Sequence, residues 1–367
     1  MVEGFFEQIL DSRQDWKVLH SIDEILTIVM CGVSAGELTI HGIYEFSTIK
    51  ESWLKEKAGL KLENGLPSYD TIRRTLGMID PKVFQRLFIK WIEEKLNLKE
   101  GSYISIDGKT VKGSGNAEKE IPPIRLLHAY SHELGIVIGQ KECRTEKKNE
   151  ITACPELLDM LKIKNAVITT DAMMCQKTVC EKIIKKSCDY VLAVKNNHPT
   201  MLAEIEELFS MEDSKNRQTF QANGKGHGRI EKRIYYLDTD ISWFSEKEKW
   251  KGLKAFGKCE SHIIIKGKET VETRYFICSI DDVMDFSEAV RNHWAIENNL
   301  HWCLDVIFKE DECPILDKNT AENFAIIRRI IYNRIKMRLS PKQQLQFGKR
   351  SCMYDDDYRL KILFSHA

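Results

Sequence analysis

Two short β-forming runs, each closing on an aspartate, constrain this chain more than any other feature. Tyr103-Ile104-Ser105-Ile106-Asp107 alternates in polarity and is rich in β-branched and aromatic residues, and Ala166-Val167-Ile168-Thr169-Thr170-Asp171 is continuously apolar until its end. Leu126 to Tyr130 and Ile136 to Glu142 read as two further strands, joined as a hairpin across Ser131-His132-Glu133-Leu134-Gly135. Helix signals span Glu150 to Leu161 and Gln176 to Lys186, and Tyr190-Val191-Leu192-Ala193-Val194 is another buried strand. The order is three strands, helix, strand, helix, strand. Strands this apolar cannot face water on either side, so the pattern predicts an α/β sheet covered by helices on both faces.

The flanks have a different rhythm. Residues 1–98 read as a helical N-terminal domain. Ser21 with Glu24 forms a capping box before the apolar run Ile25 to Val33, Pro67-Ser68 opens a second helix, and Asp80-Pro81 supplies an N-cap and first-turn proline for a third. Val83, Leu87, Ile89, Trp91 and Ile92 give that third helix a buried face. Residues 99–345 hold the strand-rich core, interrupted at about 212–282 by a β-rich insertion. In it, Gly224, Gly226 and Gly228 mark a basic turn beside strand-like pieces at Arg233 to Leu237, Ala255 to Ile265 and Thr273 to Ile280. A helix is expected from about Phe286 to Leu304, and 346–367 as a C-terminal tail.

With 43% hydrophobic and 30% charged residues, the chain has material for a substantial core. No apolar run reaches the roughly 18 residues of a membrane span; Leu26 to Val33 is the longest. The start, Met1-Val2-Glu3-Gly4, lacks the basic residues of a secretory signal. Eleven cysteines without a C-x-x-C pair are expected to be reduced, buried thiols of a cytoplasmic protein. Net charge is zero, yet cations cluster: Lys215 to Arg233 is one basic stretch, and Arg328 to Arg350 is another without an acid. A neutral protein can still present a basic groove.

Asp107 and Asp171 end two strands, and Glu297 lies on the late helix. In open α/β sheets sites form at the carboxyl ends of strands, where a side chain is held more rigidly than on a loop. Two carboxylates ~4 Å apart repel by about 4 kcal/mol at an effective dielectric of 20. Hard divalent ions, Mg²⁺ or Mn²⁺, relieve that repulsion, and a pair of them supports phosphoryl transfer; Asp107 is suited to bridge both. Glu297, His301 and Asp305 share one helix face at i, i+4, i+8. His301 and Asp305, with His293 one turn earlier, are therefore candidates for catalytic support. Trp294 and Trp302, eight apart, are expected to pack that helix on the sheet. Gly108-Lys109-Thr110 is not a phosphate-binding P-loop, because Tyr103 stands where that loop needs glycine. No nucleotide cofactor is expected.

Several segments, in order, resemble the ISAs1 family of insertion-sequence transposases, the group with the H-repeat-associated proteins. They are Ile106-Asp107-Gly108-Lys109-Thr110 with Gly113-Ser114; Glu150-Ile151-Thr152-Ala153 with Pro155-Glu156-Leu157-Leu158; Thr170-Asp171-Ala172-Met173 with Cys175-Gln176-Lys177; and Asp189 to Lys195. The match continues through His227-Gly228-Arg229-Ile230-Glu231, the run His293-Trp294-Ala295-Ile296-Glu297-Asn298-Asn299-Leu300-His301-Trp302, and Ala321-Glu322-Asn323. The N-terminal third is similar to the helical domain associated with these transposases. The resemblance implies a ribonuclease-H-like catalytic core with a β-rich insertion. It also implies a metal-dependent enzyme that hydrolyses DNA at transposon ends and transfers the freed 3′-hydroxyls to target DNA. Asp107, Asp171 and Glu297 would be both its catalytic residues and the ligands of two divalent ions.

The expected partners are double-stranded DNA, as terminal inverted repeats and target, and a second copy in a dimer or larger synaptic complex in the nucleoid. DNA contacts are expected from Lys109 and Lys112, from His227, Arg229, Lys232 and Arg233, from Arg73 and Arg74 on a helix suited to a groove, and from Arg328 and Arg329. Broader relatives carry Arg four residues before the catalytic Glu and Lys seven after it; His293 and Leu304 stand there in this chain. The rival readings are a nuclease of the same fold without strand transfer and a non-catalytic DNA-binding protein.

Overall fold

The computed structural model describes residues 6–364 except 15, 17, 96–98, 144–148, 212–213, 227–228 and 341. The chain begins with helices α1 (Ile22–Ala35), α2 (Ile40–Ile49), α3 (Glu51–Glu56), α4 (Tyr69–Met78) and α5 (Pro81–Glu93). Side chains start three of them as expected. Ser21 Oγ accepts from the Glu24 N–H at 3.1 Å, Ser68 Oγ from Thr71 N–H at 3.2 Å, and Asp80 Oδ1 from Lys82 N–H at 2.9 Å. Each satisfies a first-turn donor that has no partner within its own helix. The Glu24 carboxylate of the expected capping box is put to longer-range use, accepting from Leu62 N–H at 3.0 Å. α1 closes at Gly36, whose φ of 111° lies in the left-handed region.

Strands β1 (Ser102–Thr110), β2 (Arg125–Ser131), β3 (Ile136–Cys143), β4 (Ala166–Thr170) and β5 (Asp189–Val194) alternate with α6 (Asn149–Met160) and α7 (Lys177–Lys185), as the pattern predicts. After α8 (Pro199–Ser210) come β6 (Arg217–Gly226), β7 (Arg229–Asp238), β8 (Ala255–Ile265) and β9 (Lys268–Cys278). Helices α9 (Val283–Ile296), α10 (Lys318–Lys336), α11 (Leu345–Tyr354) and α12 (Asp356–Phe364) follow. All nine strands join one mixed sheet in the order β3-β2-β1-β4-β5-β9-β8-β7-β6. β1, β4 and β5 run parallel, and the remaining pairs are antiparallel. The β-rich insertion is therefore a continuation of the central sheet, not a separate layer.

Alternation along β5 shows how the two faces are used. Tyr190, Leu192 and Val194 join the main core with Ile104, Ile106 and Ile168. Val191 and Ala193 point the other way, into a second core with Phe276, Phe286 and Val290 under α9. β9 pairs with β5 only from Tyr275 to Cys278. Its earlier residues, and the facing halves of β6–β8, thus run on past the carboxyl ends of the parallel strands.

Residues 1–98 pack closely on the rest of the chain: α4 and α5 lie on α10, α1 lies on α10, α11 and α12, and one apolar core runs from Phe6 to Leu363. Asn323 Nδ2 secures this union by donating to the Leu76 and Ile79 carbonyls at the end of α4, both at 2.9 Å. The region expected as a tail forms α11 and α12, which pack against α1; residues 365–367 lie outside the described residues. The helix expected to continue to Leu304 changes character at Glu297, where it widens into π-type turns over Glu297–His301 and Cys303–Ile307. Such widenings are often found at functional sites. Among the described residues no single helix is long and apolar enough to cross a membrane. All eleven cysteines are buried and free.

Candidate active site

The site is built by strand register. β1 and β4 are parallel with Ile106 beside Thr170, so Asp107 and Asp171 leave adjacent strand ends side by side. Thr170 lies beside Leu192 and Ala193 beside Phe276. Asp107, Asp171, Ala193 and Phe276 thus form one row across the sheet face that α9 covers. α9 is held there by Phe286, whose ring stands edge-on to Phe276 and Tyr235 at 5.4 and 6.1 Å. It is also held by a polar chain: His293 Nδ1 lies 3.0 Å from Thr169 Oγ1, Thr169 Oγ1 lies 2.8 Å from Ser105 Oγ, and Ser105 Oγ lies 2.7 Å from His132 Nε2. Burial pushes the His293 and His132 rings down to about 4, so both are neutral near pH 7. Glu297, the first residue past α9, is thereby delivered to the row of aspartates.

Ligand atoms of Asp107, Glu297 and His301 lie within 4.8 Å of one another. His301 Nδ1 is 3.5 Å from Glu297 Oε2 and 3.7 Å from Asp107 Oδ2. Asp107 Oδ1 accepts from the Gly108 N–H at 2.8 Å. Burial pushes the Asp107 carboxyl up to about 6; His301 and the Gly108 N–H oppose this, and Glu297 and Asp171 add to it. A hydrogen bond from His301 holds Glu297 below the usual carboxylate range. Asp171 lines the same cleft but stands outside the close cluster. Its carboxylate faces Lys195 Nζ at 3.6 Å and makes no capping bond to the turn that follows. The cleft is about 470 Å³ in volume. Carboxylate oxygens and an imidazole nitrogen gathered within 4.8 Å of one another suit a divalent cation, so the residues present fit a metal centre.

Two motif glycines are explained by close approach. A Cβ on Gly108 would stand 2.4 Å from Glu150 Oε1, and one on Gly113 would stand 2.4 Å from the Cys313 carbonyl.

The structure redistributes several expected roles. Lys109 is neither a solvated turn residue nor a free phosphate contact. It is buried two residues along β1 from Asp107, with Nζ 2.6 Å from Asp305 and 3.1 Å from Asp311. Asp305 accordingly holds Lys109 rather than facing the cleft with Glu297. Arg328 and Arg329 are only 2% and 0% exposed, and this corrects their assignment to DNA contact. Arg329 grips Glu310 through both carboxylate oxygens and donates to His128 Nε2 at 2.9 Å. Arg334 and Lys349 of the same basic stretch are buried as well, so half of its cations are core. Trp294 and Trp302 are 38% and 53% exposed. They do not pack the helix on the sheet as expected. Lys112, Arg73, Arg74, Arg229 and Lys232 are exposed, and Arg233 is half-buried beside Glu231 at 2.7 Å. His227 lies outside the described residues.

Residues with no role in the sequence reading also line or brace the cleft. Lys195 and Arg274 are its cations. Asn197 Nδ2 donates to the Ala172 carbonyl at 2.8 Å, and His198 Nε2 lies 2.6 Å from the Cys175 carbonyl, fixing the loop after Asp171. Period-two counting from Ala193 would have placed Lys195 on the aspartate face; nothing local would have brought β9 to it.

Residues 99–334 match the family described as Transposase DDE domain, and residues 4–92 match DDE_Tnp_1-associated. The H repeat-associated candidate transposase YhhI of Escherichia coli (strain K12) is 38% identical, over 97% of this chain and 95% of its own length. The protein YbfL of the same strain is also 38% identical, with the same coverage. A candidate transposase, YncI, of Escherichia coli O157:H7 is 37% identical over 90% of this chain and 86% of its own. A solved piggyBac transposase synaptic complex with hairpin DNA aligns at a TM-score of 0.37 and 10% identity, too loosely to bear on the fold.

Proposed function

Because this chain belongs to the family of transposases with a DDE domain, enzymes that cleave and transfer DNA, we propose that its reaction is carried by Asp107, Asp171 and Glu297 at the carboxyl end of the parallel strands. The observation that carries this reading is the convergence of Asp107, Glu297 and His301 within 4.8 Å, beside Asp171 on the same sheet face. Two divalent ions, Mg²⁺ or Mn²⁺, held by the three carboxylates would activate a water or a 3′-hydroxyl and steady the leaving oxygen. The protein's own part is positioning. β1 and β4 fix two acids on a rigid sheet, α9 delivers the third, and His301 holds Glu297 ionised and turned toward Asp107. The buried Lys109 and its acids tie β1 to the segment after Glu297, so the strand and the widened helix hold one geometry.

The order β3-β2-β1-β4-β5, with β2 reversed against three parallel strands, supports a ribonuclease-H-like core. DNA ends fit the exposed cations: Arg73 and Arg74 on α4, Lys112 beside Asp311, and Arg229 and Lys232 on the projecting strands. Joining two ends to one target calls for at least two copies, acting in the cytoplasm on the nucleoid.

Glu297→Gln tests the assignment. It should leave binding of end DNA within about two-fold and reduce Mg²⁺-dependent cleavage by about 10²- to 10³-fold, the scale of a lost charge-stabilising group. Undiminished cleavage would remove Glu297 from the site. A chain that joins no cleaved end to a second duplex would be the nuclease instead.

A further inference from the structure

Arg274 belongs to the inserted strands, yet it faces the carboxylates. β9 pairs with β5 only as far as Val194 beside Tyr275, so Arg274 is the first residue of β9 past the carboxyl end of β5. Side chains two apart on a strand share a face. Arg274 is therefore on the face of Phe276, which is that of Ala193, Asp171 and Asp107. The next step of the register sets Lys195 beside it, and both line the cleft with Asp107, Asp171 and Glu297. The remaining charged residues of that lining, Glu206 and Glu272, are acids, so a polyanion entering the cleft meets its attraction at Lys195 and Arg274.

Arg274 is also held in place. Its Cζ lies 4.2 Å from the centre of a Trp294 ring, and Trp294 is on α9 three residues before Glu297. On the other side Nε donates to Glu272 Oε1 at 2.8 Å, and Nη2 lies 2.7 Å from the same oxygen. A guanidinium has five N–H donors in a fixed fork, so donors remain. A cation held over an indole and braced by a carboxylate loses little freedom when it takes up a ligand. This arrangement suits the recognition of a phosphate oxygen.

We propose that Arg274, held over the Trp294 ring, binds a non-bridging oxygen of a phosphodiester neighbouring the one that is cut, which makes the inserted strands one wall of the DNA-strand site. Lys195 supplies the second positive charge at the same mouth. The contact is to backbone, so it positions the strand without reading its sequence. The proposal rests on the DNA-cutting reading and extends it to a residue of the insertion.

The test pairs Arg274→Gln with duplexes that span the end of the element encoding the chain, each carrying one neutral methylphosphonate at a different phosphate. On unmodified DNA, Arg274→Gln should weaken binding about 10- to 100-fold, the size of a charge-assisted hydrogen bond. It should also lower the salt slope by about 1. On the duplex whose neutral phosphate replaces the contacted one, wild type and variant should bind alike. Losses of equal size at every position, or no loss on unmodified DNA, would overturn the proposal. If Arg274→Gln does not melt cooperatively, Arg274→Lys provides the same reading: it keeps charge but loses the guanidinium fork, and its smaller loss should vanish at the same phosphate. Wild-type chain that neither binds nor cuts the unmodified duplex would instead count against the DNA-cutting reading itself.

Discussion

Lys109 leaves β1 on the same face as Asp107, two residues on, and its burial explains why. With Asp305, Glu310, Asp311, Arg329 and His128 it forms a charged network inside the protein, where ions are tolerated only when each is paired. Burial alone would raise Glu310, but Arg329, Arg328 and Lys109 outweigh it and hold the carboxyl below its usual range. Removing one partner strands the others, so Glu310→Ala should cost about 3–5 kcal/mol in urea unfolding. Glu322 shows the opposite balance. Burial, with Glu142 nearby, lifts it to about 7. An acid whose folded value is raised contributes most stability below its unfolded value of about 4.5, and that contribution is lost as pH rises through about 7. Glu322→Gln should therefore stabilise the chain by roughly 3 kcal/mol at pH 8 and by almost nothing at pH 4, as thermal melts at the two pH values would read. That Asp107, Asp171 and Glu297 come to line one cleft was legible in sequence, because strand ends and a motif mark them. The burial of Lys109, Arg328 and Arg329 was not, since local charge density looks the same on a solvated face as in a paired interior.

At the scale of elements, the parallel strands and their helices could be read from period and apolarity, and three helix starts from their capping residues. α10 was hidden because it is buried nearly all round and has no amphipathic stripe to count. The pairing of β9 with β5 joins residues some eighty positions apart, which no local pattern reports. α10 also carries the join to the N-terminal helices through Asn323, which satisfies two carbonyls at the end of α4. Asn323→Ala should leave both unsatisfied and cost about 1–3 kcal/mol. The loss should appear first as faster hydrogen exchange in α4, and unchanged exchange there would show that apolar packing alone holds the helix. α9 links packing to chemistry. Phe286→Ala should cost about 3–5 kcal/mol and lower cleavage further than the loss of folded protein accounts for, because α9 positions Glu297.

Across the whole molecule, one apolar core joins both ends of the chain to the sheet. The two family matches meet near residue 98, and packing is continuous across that point. A chain starting at residue 99 uncovers the faces of α10 and β3 that α4 and α5 protect, and it should not unfold cooperatively. The same unity lets a late helix and an inserted sheet close around two early aspartates. The central claim is that the three carboxylates together perform metal-dependent DNA cleavage. The most direct measurement is strand cleavage of a duplex spanning the element's end, in Mg²⁺, by wild type and by Asp107→Asn with equal DNA binding. The account predicts a cut at the element boundary that the substitution abolishes; equal cutting by both proteins, or none by a wild type that binds the end with metal supplied, would contradict it.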